Sequence, residues 1–350
     1  METKRHFLRL ALATVMTAFF AACSSTEVID PPKEHEKIGE TITLTIAQPD
    51  LPSGTRADNT HLLRYTVVAY NGDISITSGN QVINFSEPLE RQEIIASDDT
   101  NSVTFQVEPG TYSFIIIGDY IPNDAKYDSN TKHYEDKYYN TSLDDGKIYM
   151  RSFYDFKTNS DKDSMRTCCI NEDHYECFAE TIVIKKEEEE VIKDVTLQRI
   201  VSKISFVSTT AAPANIEEIK FSSIDYLCHY DFLSKTAGTQ ASNKVTSTVL
   251  KWNNYYAQSN KPNEVLFYFY SLANPNTTST TSLGEIGFQF HFEDGTTSKE
   301  HTIKDRTIIP IANYKITVKG ALLSDPIPIK GPITLNLSTD NDWTDSEINP

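Results

Sequence analysis

The chain has 350 residues, enough for two ordinary domains, and only five cysteines, too few for a dense disulfide scaffold, so its cores must be hydrophobic. Its formal net charge of −17 repels nucleic acid and anionic lipid and removes both as partners. Tyr, Phe, Thr, Ile and Val are plentiful and Ala-rich helical runs are absent after the first two dozen residues, which predicts an all-β chain.

Residues 1–22 read as an export signal. Lys4, Arg5 and Arg9 form a basic stretch, and residues 10–22 are apolar, uncharged and too short to cross a membrane comfortably. The stretch ends in Phe20-Ala21-Ala22-Cys23, which resembles a bacterial lipobox with Phe20 where leucine is usual. In that pattern Cys23 becomes the lipidated first residue, and the membrane is reached through the lipid alone; the other outcome is ordinary secretory cleavage with a free Cys23. Residues 23–39 are polar, carry Pro31-Pro32 and lack periodicity, as a tether does.

Residues 40–47 then alternate, with Ile42, Leu44 and Ile46 on one face of a strand. Pro49, Pro52 and Gly54 break structure around Thr55-Arg56-Ala57. A second strand is predicted over 64–70, closed by Asn71-Gly72, and weaker ones over 82–85 and 93–96. Val103, Phe105 and Val107 alternate, Pro109-Gly110 makes a turn, and 112–117 returns as a fully apolar, central arm; together they read as a hairpin. Residues 119–176 lose all clean periodicity and hold Tyr127, Tyr134, Tyr138, Tyr139, Tyr149, Tyr154 and Tyr175. A stretch this long is an insertion, serving recognition or packing onto its own domain. Strands are predicted over 178–184 and 191–197, with the charge run 185–190 as a solvated hairpin tip.

Along 195–207 the apolar positions change parity at Arg199–Ile200: Val195 and Leu197 are odd, Ile200, Ile204 and Phe206 even. A parity change switches the buried face. The stretch reads as the last strand of one domain, 40–200, joined to the first strand of another, 201–350; one long bulged strand is the alternative. In the second domain, strands are predicted over 216–227, 264–270, 286–292, 314–318 and 333–337. Phe288, Phe290 and Phe292 share one face, His291 lies on the other, Asp294-Gly295 turns the chain, and Ile333, Leu335 and Leu337 share a face of the last strand.

No nucleophile elbow, phosphate loop, dinucleotide fingerprint, zincin motif or C-x-x-C occurs, so neither enzyme nor cofactor is indicated. Asp340, Asp342 and Asp345 lack the central glycine and terminal glutamate of a calcium loop. Cys168, Cys169 and Cys177, with His174, are badly spaced for tetrahedral zinc, so no metal is expected. A disulfide from Cys168 or Cys169 to Cys177 suits an exported chain better, although four cysteines allow three pairings.

The lipobox at Cys23, Thr55-Arg56-Ala57 after the tether, residues 63–70, DKYYNTSL at 136–143, the junction 197–206, Asn313-Tyr314-Lys315-Ile316 and Asp342-Trp343 together resemble Bacteroidales fimbrillin-like lipoproteins, the superfamily of type V pilins and their fimbrial anchors. The resemblance spans most of the chain. It implies two tandem transthyretin-like Greek-key β-sandwich domains and a lipid-anchored place at the outer membrane and cell surface. The implied role is structural or adhesive, with other fimbrial subunits or further copies of the chain as partners through strand exchange. An arginine-specific cut in that family falls after the first strand, where Arg56 and Ala57 stand here, and would free residues 40–47 with the lipid. The sheet would then take an alternating strand by β-augmentation, for which Ile333, Leu335 and Leu337 are the candidates. A surface lipoprotein that keeps its lipid and binds glycan or host protein through the Tyr-rich insertion is the alternative. Asp163-Ser164-Met165 matches the short O-glycosylation pattern of the Bacteroidetes, which makes Ser164 a modification candidate.

Overall fold

The structure, a computed structural model, describes residues 41–47, 60–75, 83–97, 101–151, 173–211, 215–224, 226–239, 248–251, 261–275, 282–283, 286–303, 308–322 and 334–338. These residues are all-β. Residues 40–350 form one compact unit with a continuous apolar core.

The first half of the fold runs through β1 (Thr41–Ala47), β2 (His61–Asn71), β3 (Glu90–Ile95), β4 (Asn101–Gln106) and β5 (Gly110–Pro122). Four short strands follow: β6 (Tyr127–Asp128), β7 (His133–Tyr134), β8 (Tyr139–Asn140) and β9 (Lys147–Met150). A 3₁₀ turn at Asp173–Tyr175 leads to β10 (Cys177–Lys186), β11 (Val191–Thr196) and β12 (Gln198–Arg199). Sheet I has the order β11-β1-β4 and sheet II the order β12-β10-β5-β2-β3. The second half contains β13 (Val201–Ser208), β14 (Ile216–Ile224), β15 (His229–Asp231), β16 (Thr236–Gly238), β17 (Thr248–Lys251), β18 (Val265–Leu272), β19 (Ile286–Phe292), β20 (His301–Ile303), β21 (Lys315–Gly320) and β22 (Thr334–Ser338). Sheet III is β18-β13-β21-β22 and sheet IV is β17-β14-β19-β20.

Sheets I and II face each other, with Phe105 of β4 against Phe114 of β5 at 5.2 Å between ring centroids. Sheets III and IV do the same through Phe267 of β18, which packs edge-on against Phe221 and Phe288 at 5.1 and 5.5 Å. The alternation in TITLTIA and NSVTFQ buries one face of each strand, as a two-layer sandwich requires.

The two halves share one topology. β1 lies antiparallel to β4 and parallel to β11; β13 lies antiparallel to β18 and parallel to β21. In sheet II, β2 pairs with β3 and β5, and β5 with β10; in sheet IV, β14 pairs with β17 and β19, and β19 with β20, all antiparallel. The order in which the chain visits the two layers is the same in both. The parity change at Ile200 marks the passage from one half to the other: its N–H donates to Cys177 O and its carbonyl accepts from Ala273 N–H, both at 2.9 Å.

Sheet V, of order β16-β15-β9-β8, joins the halves. It pairs the insertion between β5 and β10 with the insertion between β14 and β17, through His229–Asp231 against Lys147–Tyr149.

Four expectations are corrected. β4 and β5 are not a hairpin: β4 pairs with β1 and β5 with β2 and β10, so Pro109-Gly110 carries the chain between layers. β10 and β11 likewise sit in different sheets, and at their connection Lys186 is buried, its Nζ donating to Glu187 O and Glu189 O at 3.1 and 3.0 Å. In both cases period-two alternation reveals a strand but not its partner. Residues 83–85 form loop and turn rather than strand. Cys177 carries a free thiol, not the expected bridge: it opens β10 with its side chain fully buried in the core. Central placement of β5 in its sheet agrees with its apolar sequence.

Candidate functional site

Three features stand out: a central strand of the first half, an ionic cluster that docks its insertion, and a cavity where the two halves meet. The strand is β1. Its threonine–aliphatic alternation places Ile42, Leu44 and Ile46 in the core at 0–2% exposure. It is the middle strand of sheet I, bonded to β4 on one side and β11 on the other. Burial of each such side chain contributes about 1.5–3 kcal/mol. Without β1, two rows of backbone donors and acceptors on β4 and β11 would face a gap that one strand fills.

The cluster lies on the face of sheet II turned away from sheet I. Side chains alternate along a strand, so Phe114 and Ile116 face sheet I while Ile115, Ile117 and Asp119 face outward. They are nonetheless fully buried, because the insertion covers them. Arg64 of β2 donates through Nε and Nη2 to the two carboxylate oxygens of Asp119, at 2.9 and 2.8 Å. Its Nη2 also donates to Asp136 Oδ1 at 2.8 Å and its Nη1 to Tyr134 O at 3.1 Å, both in the insertion. Glu93 of β3 accepts from Tyr134 N–H at 2.8 Å and lies 2.7 Å from His133 Nδ1. Arg91 donates to Thr141 O at 2.6 Å, and Asp136 accepts from Thr141 N–H at 2.9 Å. Three cations thus meet three carboxylates.

Burial alone would raise the Glu93 and Asp136 carboxyls. The hydrogen bond from His133 and the charge of Arg64 overcome it in both, and hold Glu93 at about 2 and Asp136 well below the usual range. Burial would lower His133, but its hydrogen bonds to Asp136 and Glu93 raise it to about 9, so it is a cation at neutral pH. Full burial wins at Asp119, which is pushed up despite Arg64. Such a cluster orients the groups it joins more than it stabilises them, and loss of one member strands the rest. The tyrosines complete the docking: Tyr138, Tyr139 and Tyr175 are buried, with Tyr139 Oη donating to Tyr175 O, while Tyr127 is exposed.

The cavity, of about 520 Å³, opens where the halves meet. β10 and β12 supply Phe178, Glu180, Gln198 and Arg199; β15 and its turn supply Tyr230, Phe232 and Lys235; Asn313 closes the far side. Arg199 is held over the Phe178 ring at 5.0 Å, donates to Asn313 Oδ1 and lies 3.7 Å from Glu176. At the mouth, Lys235 Nζ stands 3.7 Å from Glu180 Oε1.

The residues singled out from sequence are not gathered in one place. Leu335 and Leu337 lie on β22, paired with Val318 and Ile316 of β21 at the edge of sheet III. His291 lies 3.4 Å from Glu218 on the strand face away from the core, as expected of a strand residue. Cys23, Arg56, Ala57, Tyr154, Ser164, Cys168, Cys169, Ile333, Asp340, Asp342, Trp343 and Asp345 lie outside the described residues. Sequence reasoning missed Arg64, Asp119 and the cavity. Arg64 was the detectable one: a charge within the apolar run 62–70 demands a buried partner.

A search of curated proteins finds no match. Among solved structures, a candidate adhesin from Bacteroides ovatus is 14% identical, with 80% of this chain and 86% of that one covered and a TM-score of 0.42. The tip fimbrial protein Mfa3 from Porphyromonas gingivalis, with C-terminal truncation, is 12% identical over 87% of this chain and 100% of that one, with a TM-score of 0.38. A fimbrial assembly protein from Parabacteroides distasonis is 9% identical over 80% and 90%, with a TM-score of 0.36. Likeness at these scores carries no functional conclusion. The profile of a family of unknown function, DUF6562, matches residues 32–349, nearly all of the sequence, and the chain belongs to that family.

Proposed function

We propose that this protein is a fimbrillin-like surface lipoprotein, anchored through Cys23 at the outer membrane, that serves as a structural or adhesive subunit of fimbria-like assemblies. In this reading its two sandwiches, 40–200 and 201–350, are tandem domains. The observation that carries it is the position of β1. A strand at the middle of a sheet is joined to the rest of the chain by the short connection 48–59, which contains Arg56. Cutting after Arg56 would release the lipid and the central strand in one step. The vacated slot matches an alternating strand, and β22 of a second copy, at the opposite end of the chain, has that pattern. Head-to-tail use of two different surfaces gives open-ended growth rather than a closed dimer.

The test is treatment of the purified protein with an arginine-specific protease, with N-terminal sequencing and sedimentation. A new N-terminus at Ala57 and concentration-dependent polymers are expected, with Leu335→Asp blocking polymerisation but not cutting. Protein trimmed to Ala57 that stays monomeric at high concentration would overturn strand exchange. The cavity favours a second reading, a lipoprotein that stays anchored and binds a glycan; persistence of the lipidated, uncut form on cells would select it.

A further inference from the structure

We propose that the waist cavity is a binding site for a neutral sugar of roughly two pyranose rings. The proposal deepens the adhesive part of the function above and does not depend on strand exchange. Its volume of about 520 Å³ falls in the ordinary range for ligand sites, and a junction between packed units is where such sites concentrate.

The lining selects the chemistry. Phe178, Tyr230 and Phe232 give an apolar floor, each at most 6% exposed. Around them stand planar polar groups: the Gln198 and Asn313 amides, the Glu180 carboxylate and the Arg199 guanidinium. Paired donors and acceptors on planar groups suit vicinal hydroxyls, and an apolar floor suits the C–H face of a sugar ring.

Charge decides between a neutral and an ionic ligand. Lys235 is matched by Glu180 at the mouth and Arg199 by Glu176 behind the wall, so the cavity presents no net charge to its contents. An anionic ligand would have to displace one of these carboxylates, and would also meet the repulsion of a chain with net charge −17.

The backbone supports a built site. Lys235 holds φ at +53° and Asn313 at +65°. The left-handed region is tolerated by asparagine and disfavoured for a lysine. The cavity walls come from the first half, from the second-half insertion and from the second-half loop at Asn313, so a bound sugar would touch both halves.

The experiment is saturation-transfer NMR on the full mature chain with methyl glucoside, methyl galactoside, methyl mannoside, N-acetylglucosamine, maltose and cellobiose, with glucuronate as the anionic control. At least one neutral sugar is expected to bind, with a rise in melting temperature. Gln198→Ala and Lys235→Ala, both at the exposed mouth, should each weaken it about tenfold. Thr196→Trp, on the exposed rim, should block entry without touching the buried floor. Failure of every neutral sugar, glucuronate binding in their place, or binding unchanged in all three variants would overturn the proposal. None of those results bears on polymerisation after the Arg56 cut.

Discussion

The two halves follow the same strand order, and they differ at the edges of their sheets. Among the described residues, sheet III runs β18-β13-β21-β22, whereas sheet I runs β4-β1-β11. Sheet I is one strand short of sheet III, whose edge strand β22 has no counterpart in it, while sheet II carries β12, which has no counterpart in sheet IV. Sheet I shows that three strands suffice to cover the layer below, so sheet III could release β22 and keep the same architecture. The equivalent first strands differ as well. β13 follows directly on β12, while β1 is separated from β2 in sequence by residues 48–59. In the strand exchange we propose, the half that would lose a strand and the half that would lend one lie at opposite ends of the chain, as a head-to-tail polymer needs.

A second difference lies on the outer faces. Sheet II is covered by its insertion through the Arg64 cluster, and the largest expected effect is there. Arg64→Ala leaves Asp119 buried without its cation and should cost about 3–5 kcal/mol in urea unfolding. Arg64→Met with Asp119→Leu should recover most of that loss, because the charge and its partner are removed together.

The comparison sharpens further at sheet V, where the two insertions hold the halves together. The intact chain should unfold in one transition. Ile148→Ala, in the middle of β9 and fully buried, should cost about 2–5 kcal/mol and split unfolding into two transitions by calorimetry. A single unsplit transition in that variant would show that the junction at Ile200 couples the halves by itself.

Much of this was legible in the sequence, and the reasons differ by element. β1, β5, β19 and the junction carry periodicity or its reversal, which are local signals. The layer changes at Pro109-Gly110 and across 187–190 are not local, because a turn sequence does not say which neighbour a strand will choose. Strands of two to four residues, such as β8, β9, β15 and β16, are too short to show any period. The Tyr-rich insertion reads as serving either recognition or packing, and the burial of Tyr138, Tyr139 and Tyr175 makes those three packing residues. The cavity was invisible because its walls come from separate segments, from Phe178 through Lys235 to Asn313, spread over more than a hundred residues. Cys177 misled for a related reason: spacing suggested a bridge, and burial at the start of β10 decided otherwise.

The smallest expected effect is a pH dependence. His133 has its folded pKa raised to about 9 from 6.5, so its contribution is complete below pH 6.5 and is lost as pH rises through 9. Glu93, held at about 2, contributes above pH 4.5 and loses that contribution as pH falls through 2. His133→Asn should lower stability by about 1 kcal/mol at pH 6 and flatten the decline between pH 6.5 and 9. An unchanged profile in the variant would mean that the solvent-facing side of the cluster is screened.

Hydrogen exchange on β4 and β11, before and after cutting at Arg56, tests the central claim most directly. In the uncut chain, amides in 101–106 and 191–196 that bond to β1 should be protected. In protein trimmed to Ala57 and kept monomeric by Leu335→Asp they should exchange fast, and in the polymer of trimmed wild-type chains they should be protected again. Continued protection in the trimmed monomer would mean that the slot closes on itself, and would contradict the account.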